Sequence, residues 1–275
     1  MSNNSKKYFL VFHTVFLPYE NVMWLEEFLI YYINIGFEQF YLYDNTGSSG
    51  CIRDSSTNNK NKYGYEIIQD PIFRIKFEKI LQKYKKYITY IVWQPTNNQG
   101  KIIYGQELSI LHFKENYTNE SVLCAFMDMD EFLFSEKNIN IIDYLKIKIK
   151  ENISCIQLYQ KKFKDRHEIK TKLITQNYEC INLPYKKNYG IKNIVVLDKM
   201  DGVPMNGGGI HNIFVSGKKQ FIDPTLLRFN HYNTNPKQIW FINKIYCTEL
   251  SSTTDIDDDM KKYKHIFSNI NFIMN

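Results

Sequence analysis

Cysteines are few in this sequence, and their spacing excludes the sites that cysteines usually build. The 275 residues contain five, odd in number and widely separated: Cys51, Cys124, Cys155, Cys180 and Cys247. No two have the close spacing of a zinc site. Cys124 and Cys155 lie in apolar runs, where a thiol packs as a small apolar group, so we expect both in the core. This usage indicates a reducing compartment, with the cytoplasm as the default location.

Long apolar runs and clustered positive charge are also missing. His13 interrupts the first apolar run and Pro18 ends it, and no later run reaches the length of a membrane-spanning helix. The net charge is +6, but the 35 lysines and arginines are spread along the chain, whereas nucleic-acid binders concentrate them in a patch. We therefore expect no membrane span and no nucleic-acid partner. Peripheral contact between the basic surface and a membrane stays open.

Apolar periodicity predicts alternating strands and helices in the first half of the chain. A buried strand at residues 8–16, a helix at 20–35 ended by Gly36, and a strand at 40–43 make one right-handed βαβ unit. Next come a helix at 71–86, a strand at 88–93 and a helix at 106–113. Further predictions are strands at 155–163 and 191–197, a glycine-rich loop at 201–209, and helices at 237–249 and 260–267. This order is typical of an α/β, nucleotide-binding type of domain.

The most informative stretch is residues 122–134, where an apolar run meets three carboxylates and then turns apolar again. The carboxylates are Asp128, Asp130 and Glu131. A strand buried on both faces normally excludes charge, and open α/β sheets bind ligands at the carboxyl ends of their strands. Two aspartates at i and i+2 can both face one hard divalent cation. The alternative is a solvated turn, where aspartate is common.

Several segments resemble family 92 glycosyltransferases and their family 2-like relatives. Residues 18–50, with Tyr-Asp-Asn at 43–45, are similar to the opening of that family. Asp128-Met129-Asp130-Glu131-Phe132 matches its Asp-x-Asp-Glu-Phe motif, and Lys192-Asn193-Ile194-Val195 resembles its Lys-x-Ile-Val segment. Residues 228–234 resemble its Asn-His-Tyr-x-Thr segment. The order of these matches follows the family from residue 8 to about residue 245.

The resemblance implies a GT-A fold, which is Rossmann-like, with a mixed central sheet flanked by helices and a small C-terminal helical appendage. It implies a catalytic domain at residues 1–250, with a nucleotide-binding half at 8–135 and an acceptor-binding half at 150–245, and the appendage at 251–275. Departures occur at Asn235-Pro236, where the family has Lys-Ser, at Tyr159, where it has tryptophan, and at His13-Thr14, where a basic–acidic pair is usual. These departures bear on the identity of the donor sugar and of the acceptor more than on the class of reaction.

The metal implied by the resemblance is Mn²⁺ or Mg²⁺, held by Asp128 and Asp130 against the donor diphosphate. His231 is the preferred third ligand, since imidazole binds Mn²⁺ acceptably, and His211 is its competitor. A lone histidine is more often a hydrogen-bonded structural residue, and only the family-matching positions favour a ligand. Glu131 either supports the ligands or caps the next turn.

The donor site is expected to include Thr14, Asp44, Asp128, Lys192 and Lys237. Asp44 ends a predicted strand, where its carboxylate could accept a hydrogen bond from the ribose or the base. The alternative is an Asx turn that only shapes the following loop. Thr14 is a weaker candidate that a buried position also explains. Either lysine could contact phosphate oxygens, although lysines are abundant here.

An inverting transferase also needs a carboxylate that deprotonates the acceptor hydroxyl. Several carboxylates lie where acceptor loops are expected, and Asp165 and Glu168 are preferred over the rest: Asp198, Asp201 and Asp223. A solvated loop charge explains either of the preferred two equally well. The acidic cluster at 255–259 precedes a predicted helix, whose dipole accounts for it.

The sequence thus predicts a metal-dependent hexosyltransferase acting on a UDP-sugar, with UDP-galactose or UDP-glucose favoured. The acceptor would be a hydroxyl of a glycan or glycolipid, and the transfer would invert the configuration. An alternative is a non-catalytic module that binds a nucleotide-sugar or glycan. A nucleotidyl- or phosphotransferase ranks last, because it needs a phosphate-binding glycine loop where this chain has Leu17-Pro18-Tyr19-Glu20.

Overall fold

The computed structural model describes residues 6–48, 71–165, 173–181, 190–205, 209–232 and 259–268. Its first half alternates strands and helices: β1 (Tyr8–Phe16), α1 (Pro18–Asn34), β2 (Gln39–Asp44), α2 (Pro71–Lys83), β3 (Ile88–Val92), α3 (Gln106–Tyr117) and β4 (Ser121–Phe126). The second half is richer in strands: β5 (Glu131–Phe134), α4 (Ile141–Lys150), β6 (Ile153–Leu158), β7 (Gln160–Asp165), α5 (Ile174–Asn177), β8 (Tyr178–Ile181), β9 (Lys192–Val196), β10 (Met200–Gly202), β11 (Phe214–Val215), β12 (Lys218–Phe221) and β13 (Arg228–His231). Short 3₁₀ segments lie at Lys85–Tyr87, Leu197–Lys199, Gly209–His211 and Asp259–Phe267.

A seven-stranded mixed sheet forms the centre, in the order β12-β6-β9-β4-β1-β2-β3. Strands β4, β1, β2 and β3 are parallel to one another. Strand β9 runs antiparallel to both of its neighbours, β4 and β6, and β12 is parallel to β6. The predicted α/β class with a mixed central sheet is therefore confirmed, and the arrangement is compatible with a Rossmann-like fold.

The strand order reverses beside β1. From β1 the chain moves outward through β2 to β3, and then returns to place β4 on the other side of β1. Connections that leave in opposite directions open a crevice at the carboxyl ends of the two central strands, which is where open α/β sheets bind ligands. The end of β4 and the residues that follow it therefore occupy the position where a ligand is expected.

A second, four-stranded sheet has the order β5-β13-β7-β8 and continues from two strands of the first. Strand β5 follows β4 after the Asp-x-Asp turn, and β7 follows β6 after a single residue, Tyr159. Both strands of the large sheet end beside the start of β9, because Phe126 pairs with Asn193 and Leu158 pairs with Lys192. The Asp-x-Asp turn therefore lies at the junction of the two sheets.

Helix α1 holds this junction through two buried tyrosines. The Tyr32 hydroxyl donates to the Glu131 carbonyl at 2.7 Å and accepts from the Leu133 amide at 3.1 Å, while the Tyr31 hydroxyl donates to the Leu133 carbonyl. Both rings lie in the main aromatic core. The 3₁₀ segment Asp259–Phe267 packs against the same core, with the Tyr263 ring edge-on to Tyr31 at a centroid distance of 5.1 Å. These contacts therefore fix the start of β5, whose first residue, Glu131, is the third of the three carboxylates.

Most predicted elements of the first half are confirmed. Strand β1 has the predicted bounds, and α1 begins at Pro18 because proline suits the first helical position. The strand predicted at 155–163 is two strands that belong to different sheets, and α4, capped by Asn140, had not been predicted. The predicted loop at 201–209 begins within β10 and ends in a 3₁₀ turn. The predicted helix at 237–249 lies outside the described residues.

The structure also bears on the two expectations about cysteines and membrane-spanning runs. Cys124 and Cys155 are buried free thiols, as expected of core residues. Within the described ranges, every helix is too short or too polar to cross a membrane.

Candidate functional site

Five charged or titratable side chains meet where the two sheets join, and we call them the lysine–carboxylate cluster. They are Asp128, Asp130, Glu131, Lys192 and His231. The carboxylates come from the turn after β4 and the start of β5, the lysine from the start of β9, and the histidine from the end of β13. Asp128 has about a third of its side chain exposed (32%), while the other four side chains are buried. Solvent therefore reaches the cluster through Asp128.

Lys192 lies at the centre of the cluster and is 1% exposed. Its Nζ lies 2.5 Å from Asp128 Oδ2 and 3.1 Å from Glu131 Oε2. Because β9 is antiparallel to β4, its first residue lies beside the carboxyl end of β4. Burial lowers the pKa of Lys192, but the two carboxylates outweigh it and leave the pKa above its usual value. The ammonium therefore stays charged.

Glu131 is completely buried and helps to shape the turn. Its Oε2 accepts a hydrogen bond of 2.9 Å from the Asp128 amide, while its Oε1 has no hydrogen-bond partner within the described part of the chain. Burial is the main cause that raises its pKa, to about 7; Asp128 and Asp130 raise it further, and Lys192 and His231 lower it. The Glu131 carboxyl is therefore partly protonated near neutral pH, and its charge depends on its four charged or titratable neighbours.

His231 and Asp130 form a pair on the other side of the cluster. His231 Nε2 lies 3.4 Å from Asp130 Oδ2, and His231 Nδ1 lies 2.5 Å from Gln160 Nε2. The register of β13 on β5 places His231 opposite Glu131. Burial lowers the pKa of His231, but Asp130 and then Glu131 outweigh it and raise the pKa above its ordinary value. The structure thus brings together two of the three predicted metal ligands.

Asp128 faces Lys192 and the beginning of α3. Its Oδ1 accepts a hydrogen bond of 3.1 Å from Gln106 Nε2, and its Oδ2 contacts Lys192. The glycine-rich segment packs against the same end of α3, because a Cβ at Gly209 would lie 2.6 Å from Glu107 Cγ. Both carboxylate oxygens of Asp128 therefore have partners.

His211 lies on the exposed side of the cluster and has a different environment from His231. Its Nδ1 lies 2.6 Å from the Ile191 carbonyl oxygen, so this nitrogen carries the proton that is donated. The surrounding protein and then the Lys192 ammonium lower its pKa. A ring that donates from Nδ1 leaves Nε2 as an acceptor or metal ligand.

Asp44 and Thr14 do not join the cluster. Asp44 Oδ1 accepts from the Thr46 amide at 2.8 Å and the Thr46 hydroxyl at 2.6 Å, and its Oδ2 accepts from the Tyr90 hydroxyl. This is the Asx turn that the sequence left as the alternative to a donor contact. Thr14 is completely buried, and its hydroxyl donates to the Val15 carbonyl at 3.4 Å. Donor contacts by these two residues stay predictions.

Three other predicted residues fall where the side chains are not described. Asp165 is the last residue of β7, and nothing is described beyond its backbone position. Glu168 and Lys237 lie outside the described residues. The predictions of a catalytic base and of a second phosphate-binding lysine therefore stay predictions.

Asp130 and His231 suit a hard divalent cation in donor type, since oxygen and imidazole ligands bind Mn²⁺ and Mg²⁺, whereas Glu131 Oε1 lies beside the other ring nitrogen, 3.6 Å from His231 Nδ1. The distance between Asp130 Oδ2 and His231 Nε2, 3.4 Å, allows both atoms to bond one ion. However, among the residues that the structure describes, no group of three or more His, Cys, Asp or Glu side chains is placed to hold a metal. Asp128 is turned to Lys192 and does not complete the set.

Sequence reasoning missed the two glutamines of the site, Gln106 and Gln160. Gln106 begins α3 and reaches Asp128, and Gln160 begins β7 and reaches His231. The single strand predicted over 155–163 spanned the break between β6 and β7, and therefore hid the position of Gln160. The helix start at Gln106 was predicted and could have indicated a polar group at the crevice, because helix N-termini favour anions.

Comparison with known proteins adds no family to these observations. No family model matches the chain, and no curated protein matches it. The resemblance to family 92 and family 2-like glycosyltransferases therefore rests on the quoted motifs alone.

Proposed function

We propose that this chain is a metal-dependent glycosyltransferase that moves a hexose from a UDP-sugar to a hydroxyl of a glycan or glycolipid, with inversion. The motif resemblance favours UDP-galactose or UDP-glucose as the donor. One observation carries the proposal: the lysine–carboxylate cluster lies at the carboxyl end of β4, beside the reversal of strand order at β1. Three carboxylates, a lysine and a histidine would not be expected to lie together at that position in an unrelated turn.

The charges of the cluster suit a diphosphate accompanied by a cation. Lys192 supplies a permanent positive charge, and the start of α3 beside Asp128 adds the positive end of a helix dipole. The carboxyl groups of Asp128, Asp130 and Glu131 supply oxygen atoms, the ligand type that a hard divalent cation prefers. A site with both features suits an anionic ligand that arrives with its metal.

Each residue then has a definite task. Asp130 and His231 would hold the metal, with Asp128 as a further ligand, and Gln160 keeps the His231 ring oriented. When bound, the metal would stabilise the negative charge that develops on the departing UDP. Glu131 fixes the Asp128 amide, and so fixes the shape of the turn.

The base that deprotonates the acceptor hydroxyl is proposed to be Asp165 or Glu168. Strand β7 begins at Gln160, whose side chain contacts His231, and it ends at Asp165. The chain that leaves the cluster along β7 therefore leads to both candidates. Separate alanine variants of the two should differ, with the true base losing transfer and keeping donor binding.

The proposal is tested by calorimetric titration of UDP- and GDP-sugars into the protein, first with Mn²⁺ and then with EDTA. We expect one UDP-sugar to bind in Mn²⁺ and to lose most of its affinity in EDTA. Absence of binding by every donor, to protein shown to be folded by circular dichroism, would contradict the proposal.

The second candidate is a non-catalytic module that binds a nucleotide-sugar or glycan. It is favoured by the contact between Lys192 and Asp128, because this carboxylate is already neutralised without a metal. Release of UDP from the bound donor distinguishes the two candidates. A transferase hydrolyses its donor slowly even without acceptor, whereas a binding module returns the donor intact.

A further inference from the structure

Both carboxylate oxygens of Asp128 are occupied, Oδ2 by the Lys192 ammonium and Oδ1 by the Gln106 side-chain amide. The Nζ–Oδ2 distance is 2.5 Å, which is a direct charge-assisted hydrogen bond. An ammonium and a divalent cation repel each other on one carboxylate oxygen. Asp128 must therefore leave Lys192 before this oxygen can join Asp130 and His231.

The two carboxylates that hold Lys192 differ in their freedom to move. Glu131 is completely buried, and its Oε2 also accepts from the Asp128 amide at 2.9 Å. Asp128 is about a third exposed (32%) and lies in the turn between β4 and β5 rather than in a strand. Rotation of the Asp128 side chain breaks its contacts to Lys192 and Gln106 and leaves the backbone in place. Asp128 is therefore the mobile partner and Glu131 the fixed one.

A buried ammonium that loses one of two carboxylates needs another anion in its place. Lys192 is 1% exposed, and an uncompensated buried charge is strongly unfavourable. Phosphate oxygens that enter from the exposed side of Asp128 would supply this anion. The same movement of Asp128 would then open Lys192 to the ligand and bring its carboxylate towards Asp130 and His231.

We propose that Lys192 couples the metal site to the diphosphate through an exchange of partners at Asp128. Without a nucleotide, Asp128 stays on Lys192 and only Asp130 and His231 face a metal. When a diphosphate takes over the ammonium, Asp128 is released and completes the metal site. This inference rests on the proposed function, since it takes the ligand to be a nucleoside diphosphate with its cation.

The exchange predicts opposite effects of one substitution on two affinities. In Lys192→Met, Asp128 has no ammonium to hold it, so Mn²⁺ alone should bind about tenfold more tightly than to the wild type. The same variant lacks the cation for the phosphates, so UDP at saturating Mn²⁺ should bind about tenfold more weakly. Lys192→Arg keeps the charge and should stay close to the wild type in both. Free Mn²⁺ is followed by electron paramagnetic resonance, and UDP by calorimetry.

A purely structural lysine would give a different pattern, because a damaged site loses both affinities together. Unchanged or weaker binding of Mn²⁺ alone by folded Lys192→Met would overturn the exchange. If the wild type still binds a UDP-sugar with Mn²⁺, the proposed function survives that result. If the wild type binds no UDP-sugar at all, the proposed function fails first.

A second variant keeps the test decisive if Lys192→Met does not fold. Asp128→Asn removes the mobile carboxylate at a partly exposed position and leaves Lys192 paired with Glu131. Since Asp128 does not face the metal before the exchange, Mn²⁺ alone should bind within about threefold of wild-type affinity, while UDP at saturating Mn²⁺ weakens about tenfold or more. Equal losses in both measurements would show that Asp128 is a ligand at all times, and would overturn the exchange.

Discussion

Asp44 and Asp128 have the same setting in the sequence and different settings in the structure. Each follows or ends a buried strand, and these strands, β2 and β4, flank β1 on its two sides. Asp44 is surrounded by neutral donors, from Thr46 and Tyr90. Asp128 contacts a buried ammonium and lies among further carboxylates. A carboxylate at a strand end therefore indicates a place in the fold, and its partners decide its chemistry.

The difference lies in where those partners come from. Thr46 is two residues from Asp44, and the sequence Asp-Asn-Thr-Gly predicts such a local turn. Lys192 is 64 positions from Asp128 and meets it only because β9 enters the sheet antiparallel to β4. The neutral partners of Asp44 stabilise a turn. The charged partner of Asp128 creates a site in which a ligand can replace one member of the ion pair.

The largest effect that we expect is a pH dependence of stability caused by Glu27, a buried carboxylate with neutral partners. It accepts from the amides of Ile174 and Thr175 and from the Thr175 hydroxyl, at 2.7 to 3.1 Å. Burial is the first cause that raises its pKa from 4.5 to about 7, and the three donors act in the opposite direction. Because the folded state then holds this proton more tightly than the unfolded state, its stability contribution falls as pH rises from 4.5 through 7.

The loss should be on the order of 3 kcal/mol across that pH range, and Glu27→Gln should remove it. Urea unfolding of both proteins at a series of pH values measures the difference in the free energy of unfolding. A wild-type minus variant difference that does not change with pH would contradict the assignment of neutral burial to this glutamate.

The next effect in size is loss of donor binding in Asp128→Ala. The variant lacks both the proposed metal ligand and the partner of Lys192, so UDP-sugar affinity in Mn²⁺ should fall on the order of 100-fold. The melting temperature should fall, because the buried Lys192 ammonium keeps only Glu131 as a carboxylate partner, and circular dichroism checks that the variant is folded. A UDP-sugar affinity equal to that of the wild type would contradict the assignment of the metal site.

Alanine substitution of the two histidines should weaken UDP binding by different factors, both smaller than the factor expected for Asp128→Ala. His231 lies beside Asp130 in a buried position, while His211 is exposed and donates to the Ile191 carbonyl. We expect His231→Ala to weaken Mn²⁺-dependent UDP binding about tenfold, and His211→Ala to weaken it less than about threefold. Calorimetry of both variants under one set of conditions measures the pair. The reverse ranking would transfer the role of metal ligand to His211.

Asp44→Ala should have the smallest effect on the donor and a measurable effect on the fold. It removes the acceptor of Thr46 and Tyr90, which should cost about 1–2 kcal/mol in the free energy of unfolding. Tyr90→Phe, the matched control, removes one of these hydrogen bonds and should cost about 1 kcal/mol or less. A tenfold or greater loss of UDP-sugar affinity in Asp44→Ala alone would show instead that Asp44 contacts the ribose or base.

The sequence predicted the parts of the fold that depend on local pattern. The run from Tyr8 to Phe16 is apolar on both faces and could only be a central strand, and Gly36 ended α1 because its φ of +102° suits glycine. The break at Tyr159 was not predicted, although the sequence turns polar at Gln160, because a change of pairing partner between β9 and β13 leaves no local pattern.

For the candidate site, the sequence predicted the positions and not the contacts. The Asp-x-Asp turn and His231 were singled out by their place in the motifs, and the strand order brings them together. The pairing of Lys192 with Asp128 depends on the insertion of β9, and the hydrogen bonds of Gln106 and Gln160 depend on how α3 and β7 approach the turn. Such long-range contacts follow from the register of the sheet, which no local pattern specifies.

Asp128, Asp130 and His231 are proposed to form a metal site once a diphosphate is bound. The most direct measurement is anomalous X-ray diffraction from crystals of the wild-type protein grown with Mn²⁺ and UDP. We expect one manganese peak bonded to Asp130 and His231, with Asp128 turned from Lys192 to the metal and the UDP phosphates beside the ammonium. Bound UDP with the manganese elsewhere, or with Asp128 still on Lys192, would contradict it.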